Sequence, residues 1–283
     1  MSYLAAVLLL PAMLWAINFG IKRGLTATRE VETTVPANLP WREVRIPSAN
    51  GKQLFGWFIP AQPGAPVLLV MHGWGGNAQM MLPLAAPLHT AGYALLFLDA
   101  RCHGQSDDDS FASLPRFAED IEHGVAWLSL QSETKGVPVG LVGHSVGAGA
   151  ALLAASRNPA IALVVSLAAF AHPAAMMRRW LRFKRIPYWP FGAYILAYVQ
   201  KVIGFRFDDI APLNTIRQVR CPVLLVHGLE DETVPASEAQ AIYAQRSHER
   251  VTLLLIPGSH DEYADMESHL PALCGFLAQA LPI

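Results

Sequence analysis

Three short stretches of this 283-residue chain carry the residue types of nucleophilic acyl transfer. In Gly143-His144-Ser145-Val146-Gly147 a serine stands between small residues, just after the apolar run Val137 to Val142. In His227-Gly228-Leu229-Glu230-Asp231-Glu232 a group of carboxylates follows the apolar run Val223 to Val226. In Pro257-Gly258-Ser259-His260-Asp261 a histidine follows the run Val251 to Ile256. A serine hydroxyl is a weak nucleophile until a base takes its proton, and an imidazole serves as that base when a carboxylate fixes its tautomer. Ser145, His260 and Asp231 supply one group of each kind. On residue type alone, Glu230 and Glu232 compete with Asp231.

These side chains need a scaffold that brings distant loops together. The pattern predicts a strand over Val137 to Val142 and a helix from Ser145, with Ser145 in a strained turn that Gly143 and Gly147 accommodate. Further buried strands are predicted over Val67 to Met71, Tyr93 to Leu98 and Ile161 to Leu167, and a hairpin over Glu43 to Ile46 and Gln53 to Ile59 around Ala49-Asn50-Gly51. Helical patterns cover Gln79 to Thr90, Phe117 to Leu130, Ser237 to Gln245 and Asp261 to Ala280. Strand and helix alternate, which predicts an α/β fold: a mostly parallel sheet of about eight strands with helices on both faces. In such sheets, functional groups sit on loops at the carboxyl ends of strands. His172 to Phe207, about 36 residues with no strand-like run, is expected to form a helical cap.

The order Ser145, Asp231, His260, with successive members 86 and 29 positions apart, completes a recognisable set. From about Trp41 to Leu281 the chain resembles the α/β-hydrolases, in particular the serine aminopeptidase-like and monoacylglycerol-lipase-like enzymes. The resemblance implies that Asp231, matching G-x-x-D-x-x-V-P in Gly228 to Pro235, is the acid of the triad. It implies that His72-Gly73-Trp74-Gly75-Gly76-Asn77 is the oxyanion loop, with the backbone N–H groups of Trp74 and Val146 as donors. Asp99-Ala100-Arg101-Cys102-His103-Gly104-Gln105-Ser106 resembles the family's structural D-x-R-G-H-G-x-S loop, with Cys102 where glycine is usual. Cys102 must then tolerate the backbone dihedral of a glycine. His144 is expected to point into packing, and the remaining histidines to be structural or exposed. The implied activity is hydrolysis of a carboxylic ester through an acyl-enzyme, with thioester and amide open to the same chemistry and no metal or organic cofactor required. A non-catalytic ligand-binding or scaffold protein is the alternative, since fold alone never proves activity.

Composition narrows the partners. A formal net charge of −1 provides no field to gather nucleic acid. Three cysteines at wide spacing imply no disulfide framework, and no zinc-type spacing of His and Cys occurs; Cys221 and Cys274 lie among apolar neighbours that suggest burial. Tyr3 to Ile21 lacks charge and as a helix would span about 28 Å, enough for one membrane crossing. Lys22, Arg23 and Arg29 follow it, which places the rest of the protein on the cytoplasmic side. A signal peptide and a helix packed on the domain are the other readings of this stretch. The expected organisation is an anchor over 1–24, an extended linker over 25–40, and a hydrolase domain over 41–283 with its cap at about 172–207. In the cap, Arg178 to Arg185 holds five cations interleaved with Trp180 and Phe183, followed by Ile186, Tyr188, Trp189 and Phe191. That segment suits contact with an anionic membrane surface or a lid over a small, lipid-like acyl substrate. Nothing in the chain specifies an oligomeric state.

Overall fold

The computed structural model describes residues 2–260 and 266–283, with no side-chain account of 1–10 and 261–269. After an N-terminal helix α1 (Ser2–Arg23), the hairpin β1 (Arg42–Pro47) and β2 (Gln53–Ile59) turns through Asn50 and Gly51, both at positive φ. Then come β3 (Val67–Met71), a 3₁₀ stretch Ala78–Leu84, α2 (Ala85–Thr90), β4 (Ala94–Leu98), α3 (Leu114–Leu130), β5 (Val139–His144), α4 (Val146–Arg157) and β6 (Ile161–Leu167). The insertion that follows holds α5 (Pro173–Phe183), a π-helical turn Tyr188–Gly192, α6 (Ala193–Ile203), α7 (Phe207–Ile210) and α8 (Pro212–Thr215). The chain closes with β7 (Val223–Gly228), α9 (Ser237–Ala244), β8 (Val251–Ile256) and α10 (Met266–Ala280). The helical pattern expected over Asp261 to Asp265 lies outside the described residues.

The strands form one sheet in the order β1-β2-β4-β3-β5-β6-β7-β8; the pairs β1–β2 and β2–β4 are antiparallel and the rest parallel. Every residue of β3 and β4 is buried, because helices cover both faces. The period-2 pleat divides them: Val67, Leu69, Met71, Leu96 and Leu98 pack into the core on the α3–α4 side, while Leu68, Val70, Leu95 and Phe97 pack against α2 and α10. Removing each of these side chains from water stabilises the fold by about 1.5–3 kcal/mol, which fixes the register on which the site depends.

Two expectations about the N-terminus change. Among the described residues no helix is long and apolar enough to cross a membrane, so the crossing expected over Tyr3 to Ile21 is not supported here. The end of α1 is packed on the domain, and the segment after it does not run free as a linker. Ile21 and Leu25 pack on the core, the Tyr194 hydroxyl of α6 donates to Asn18 Oδ1 at 2.7 Å, and Ala112 N–H donates to the Leu25 carbonyl at 2.9 Å. Arg29 donates to the carbonyls of Gly104 and Ser106 and pairs with Asp108. The Asn77 side-chain amide donates to the Glu30 carbonyl, and the Thr33 and Thr34 amides donate to Gln79 Oε1. Polar groups that look solvated in the sequence are satisfied by loops some 45 to 77 residues away.

Candidate active site

Ser145 closes β5 and opens α4 with φ 53° and ψ −115°. A non-glycine residue held there costs about 1–3 kcal/mol and persists only where its surroundings over-determine it. Here the Ser145 amide donates to the Leu167 carbonyl of β6 at 2.8 Å, and its own carbonyl accepts Gly149 N–H as the first turn of α4. The flanking glycines are required by contact rather than by dihedral. A Cβ on Gly143 would run into the Gly147 carbonyl, and one on Gly147 would run into the His72 carbonyl and lie 2.7 Å from that of Met71. The turn therefore packs tightly against the end of β3.

Asp231 and His260 arrive from the carboxyl ends of β7 and β8. Their loops interlock: Glu230 N–H donates to the Gly258 carbonyl at 3.0 Å, Gly258 N–H donates to Glu230 Oε2 at 2.5 Å, and a side chain on Gly228 would strike the Gly258 backbone. Glu230 is thus occupied in joining the two loops, and Asp231 is the carboxylate that faces the histidine. His260 Nδ1 lies 2.7 Å from Asp231 Oδ2, and its Nε2 lies 3.0 Å from Ser145 Oγ. With Nδ1–H donating to the carboxylate, Nε2 is left as the acceptor for the serine proton. All three sequence-predicted groups meet in one place.

Asp231 is further held by Val234 N–H on Oδ1 at 2.7 Å and by His227, whose Nε2 stands 3.2 Å from Oδ2 and 2.7 Å from the Val234 carbonyl. Burial pushes this carboxyl up, but the hydrogen bonds from His227, His260 and the Val234 amide outweigh it and hold Asp231 well below the usual carboxylate range. Because the folded value lies below the unfolded one, the carboxylate adds stability that is complete above about pH 4 and fades as the solution is acidified toward the folded value. The stability gap between wild type and Asp231→Asn should therefore be constant from pH 5 to 8 and shrink below about pH 4. Denaturant melts across that range check it, and a gap that widens in acid would contradict it.

The loop after β3 lies beside the serine: a Cβ on Gly73 would stand 3.1 Å from Ser145 Cβ. The next residues along each segment, Trp74 and Val146, thus share the neighbourhood of the hydroxyl. His72 fixes the base of this loop. Its Nε2 accepts Ala100 N–H at 3.0 Å, so Nδ1 carries the proton and donates to the Gly73 carbonyl at 2.6 Å. Burial, then the neighbouring His103, lowers the His72 pKa to about 3, so this ring stays neutral across the physiological range. Cys102 takes φ 66° at the position where glycine was expected, and its thiol is buried against the backbone of Asp109. Burial raises its pKa, as expected of a structural cysteine. Cys221 and Cys274 are half-buried free thiols, less enclosed than their neighbours in sequence suggested.

Comparison with known proteins agrees with this geometry. A family model described as "Serine aminopeptidase, S33" matches residues 62–199, just under half of the chain, including the loop after β3 and Ser145. Three crystal forms of the Pyrococcus furiosus esterase Pf2001 superpose with TM-scores of 0.73 to 0.74 at 22–23% identity, over 90% of this chain and 97–99% of theirs. The chain thus has the α/β-hydrolase fold. Est1E of Butyrivibrio proteoclasticus, solved with ferulic acid, shares this hydrolase fold with a TM-score of 0.67 and 22% identity over 85% of this chain and all of that one. Among sequence relatives, an uncharacterized protein of Mycobacterium tuberculosis is 27% identical over 84% of this chain and 79% of its own length. YqkD of Bacillus subtilis is 25% identical over 76% and 71%.

Two residues of the site escape sequence reasoning. His227, grouped above with structural or exposed histidines, is fully buried at the end of β7 and touches Asp231 directly. The available signal was a histidine ending a buried strand immediately before the acid loop. His144, expected to point into packing, instead places Nε2 2.9 Å from the His260 carbonyl, with the two rings 5.1 Å apart. It steadies the backbone of the loop that carries His260.

Proposed function

We propose that this protein is a serine hydrolase that cleaves a carboxylic ester with a hydrophobic acyl group. The observation that carries the reading is the continuous chain of contacts from Ser145 Oγ through His260 to Asp231. As Ser145 Oγ attacks the ester carbon, His260 Nε2 takes its proton and Asp231 stabilises the imidazolium. The Trp74 and Val146 amides receive the charge on the carbonyl oxygen. His260 then protonates the departing alcohol, and water, deprotonated by the same ring, attacks the acyl-enzyme and restores the serine. Ester chemistry is favoured over thioester and amide because one solved neighbour, Pf2001 of Pyrococcus furiosus, is named as an esterase.

The hydrophobic acyl preference is supported by the cap, where Met176, Met177, Ile186 and Ile195 are partly buried against the core. A p-nitrophenyl ester series tests it. Octanoate should exceed acetate in kcat/KM by about tenfold or more, since each additional buried methylene contributes about 0.8 kcal/mol. Equal turnover of acetate and octanoate would contradict the preference, and folded protein inert to every ester would favour the non-catalytic reading.

The same reading holds the domain at the cytoplasmic face of a membrane, tethered through residues 1–24. Exposed Trp15, Ile17 and Phe19 on α1 and exposed Phe183, Trp189 and Phe191 on the cap support it, with Arg182, Lys184 and Arg185 beside the latter. Fractionation of the full chain at low ionic strength should leave it with membranes; release into the supernatant under those conditions would remove the tether.

A further inference from the structure

A buried acid pair joins the segment after α1 to the loop after β4. Both carboxyl oxygens of Glu32 are buried, and no hydrogen-bond donor among the described residues faces them. The group beside them is Asp99, fully buried at the end of β4. Gly104, at φ 45°, leaves the space the pair occupies: a Cβ there would run into Asp99 Oδ2 and lie 2.6 Å from Glu32 Oε1. Two carboxyl groups this close and shielded from water bond to each other only when one of them keeps a proton. Burial first, and then Glu32, raises the Asp99 pKa well above the ordinary range.

Asp99 already holds two turns of the site's surroundings. Its Oδ1 accepts Ala78 N–H and its Oδ2 accepts Gln105 N–H, both at 2.7 Å. Ala78 lies between Asn77 and Gln79, the residues bonded to the Glu30 carbonyl and to the Thr33 and Thr34 amides. Residues 77–79 directly follow the 72–76 loop, whose Gly73 abuts Ser145. Among the described residues, charged or titratable groups on the segments packed against the pair include Arg29, engaged with Gly104, Ser106 and the carboxylate of Asp108, and His72 and His103, both shifted toward the neutral form by burial.

We propose that Glu32 is a positioning residue for the reaction: sharing one proton with Asp99, it fastens residues 29–34 against 77–79 and so holds the backbone donors of the 72–76 loop beside Ser145. This rests on the hydrolase reading for its catalytic consequence, but the fastening is physical and is measured separately. A donor misplaced by about 1 Å loses roughly a hundredfold in rate, and that loss falls on kcat because the donors act on charge that develops in the transition state. The fastening also weakens as pH rises, since a carboxyl whose folded pKa is raised contributes stability below its ordinary value and loses it as pH climbs through the folded one.

The test uses the full chain with Glu32→Ala and Glu32→Gln, reading hydrogen–deuterium exchange over residues 72–80 together with kcat and KM from pH 6 to 9. Glu32→Ala should speed exchange over 72–80 and lower kcat about tenfold to a hundredfold, with KM within about twofold. Glu32→Gln, whose amide donates to the Asp99 carboxylate at every pH, should restore protection and gain on wild type in kcat as pH rises. Unchanged exchange over 72–80 in Glu32→Ala, or a loss confined to KM, overturns the proposal. Should Glu32→Ala fail to fold, Glu32→Gln decides alone, because a pH profile superimposable on wild type also overturns it. Faster exchange in Glu32→Ala, with wild type inert to esters, would keep the fastening and reject the hydrolase reading instead.

Discussion

Ser145→Ala is expected to lower kcat for a short p-nitrophenyl ester by about 10⁶-fold, close to 8 kcal/mol of transition-state stabilisation, as loss of the nucleophile does in serine hydrolases. The fold should not register the change. The strained φ at position 145 is imposed by the Leu167 carbonyl, by the first turn of α4 and by the close approach of Gly143 and Gly147, none of which involves the hydroxyl. Alanine meets the same backbone strain as serine, so the thermal midpoint should stay within a few degrees. What residual rate remains comes from the backbone donors and binding alone. Activity above about one per cent of wild type in pure protein would show that another group attacks.

Asp231→Asn is the second large effect, about 10⁴-fold in kcat, and its cause is the proton on His260. Asp231 Oδ1 accepts the Val234 amide, while Oδ2 accepts from His260 and His227. An asparagine that keeps its oxygen on the Val234 amide turns its NH₂ group toward both rings. His260 Nδ1 must then become an acceptor, its proton moves to Nε2, and the nitrogen facing Ser145 Oγ can no longer take a proton. Because shape is conserved, substrate binding should survive, leaving KM within a few-fold. Steady-state kinetics of the purified variant check this, and near-normal kcat would mean that the carboxylate does not set the tautomer.

These two expectations rest on residues legible without coordinates, and the reason is specific. β3 and β6 are almost wholly buried, so each reads as a nearly continuous apolar run; the edge strand β8, with Thr252 exposed and Leu253 to Leu255 half-buried, is still mostly apolar, and the limits of all three coincide with Val67–Met71, Ile161–Leu167 and Val251–Ile256. Ser145, Asp231 and His260 stand just past such runs, where a parallel sheet gathers its functional loops. The run Gln79 to Thr90 was less clear. It reads as one helix, yet a 3₁₀ stretch precedes α2, with Pro83 near the junction lacking an amide to donate.

What stayed hidden depends on partners far along the chain. Glu32 and Arg29 look like solvated charges in a Thr-rich segment, and only the folded loops at 99–108 show why they are held. His227 and His144 sit beside the predicted triad in sequence terms, but a histidine next to a strand end has no periodicity that tells whether its ring touches a carboxylate or a carbonyl. Glu230 differs from Asp231 by one position and one methylene. The loop-to-loop bond to Gly258 separates their roles, and it exists only once β7 and β8 pair.

The central claim is that the hydroxyl at 145 is the group that attacks. It is tested most directly by treating folded wild-type protein with a fluorophosphonate probe and locating the adduct by mass spectrometry of its peptides. The account predicts stoichiometric phosphonylation of Ser145 Oγ with loss of fluoride, abolished in Ser145→Ala and strongly slowed in Asp231→Asn. Folded wild type that stays unlabelled, or an adduct carried by any other residue, would contradict it.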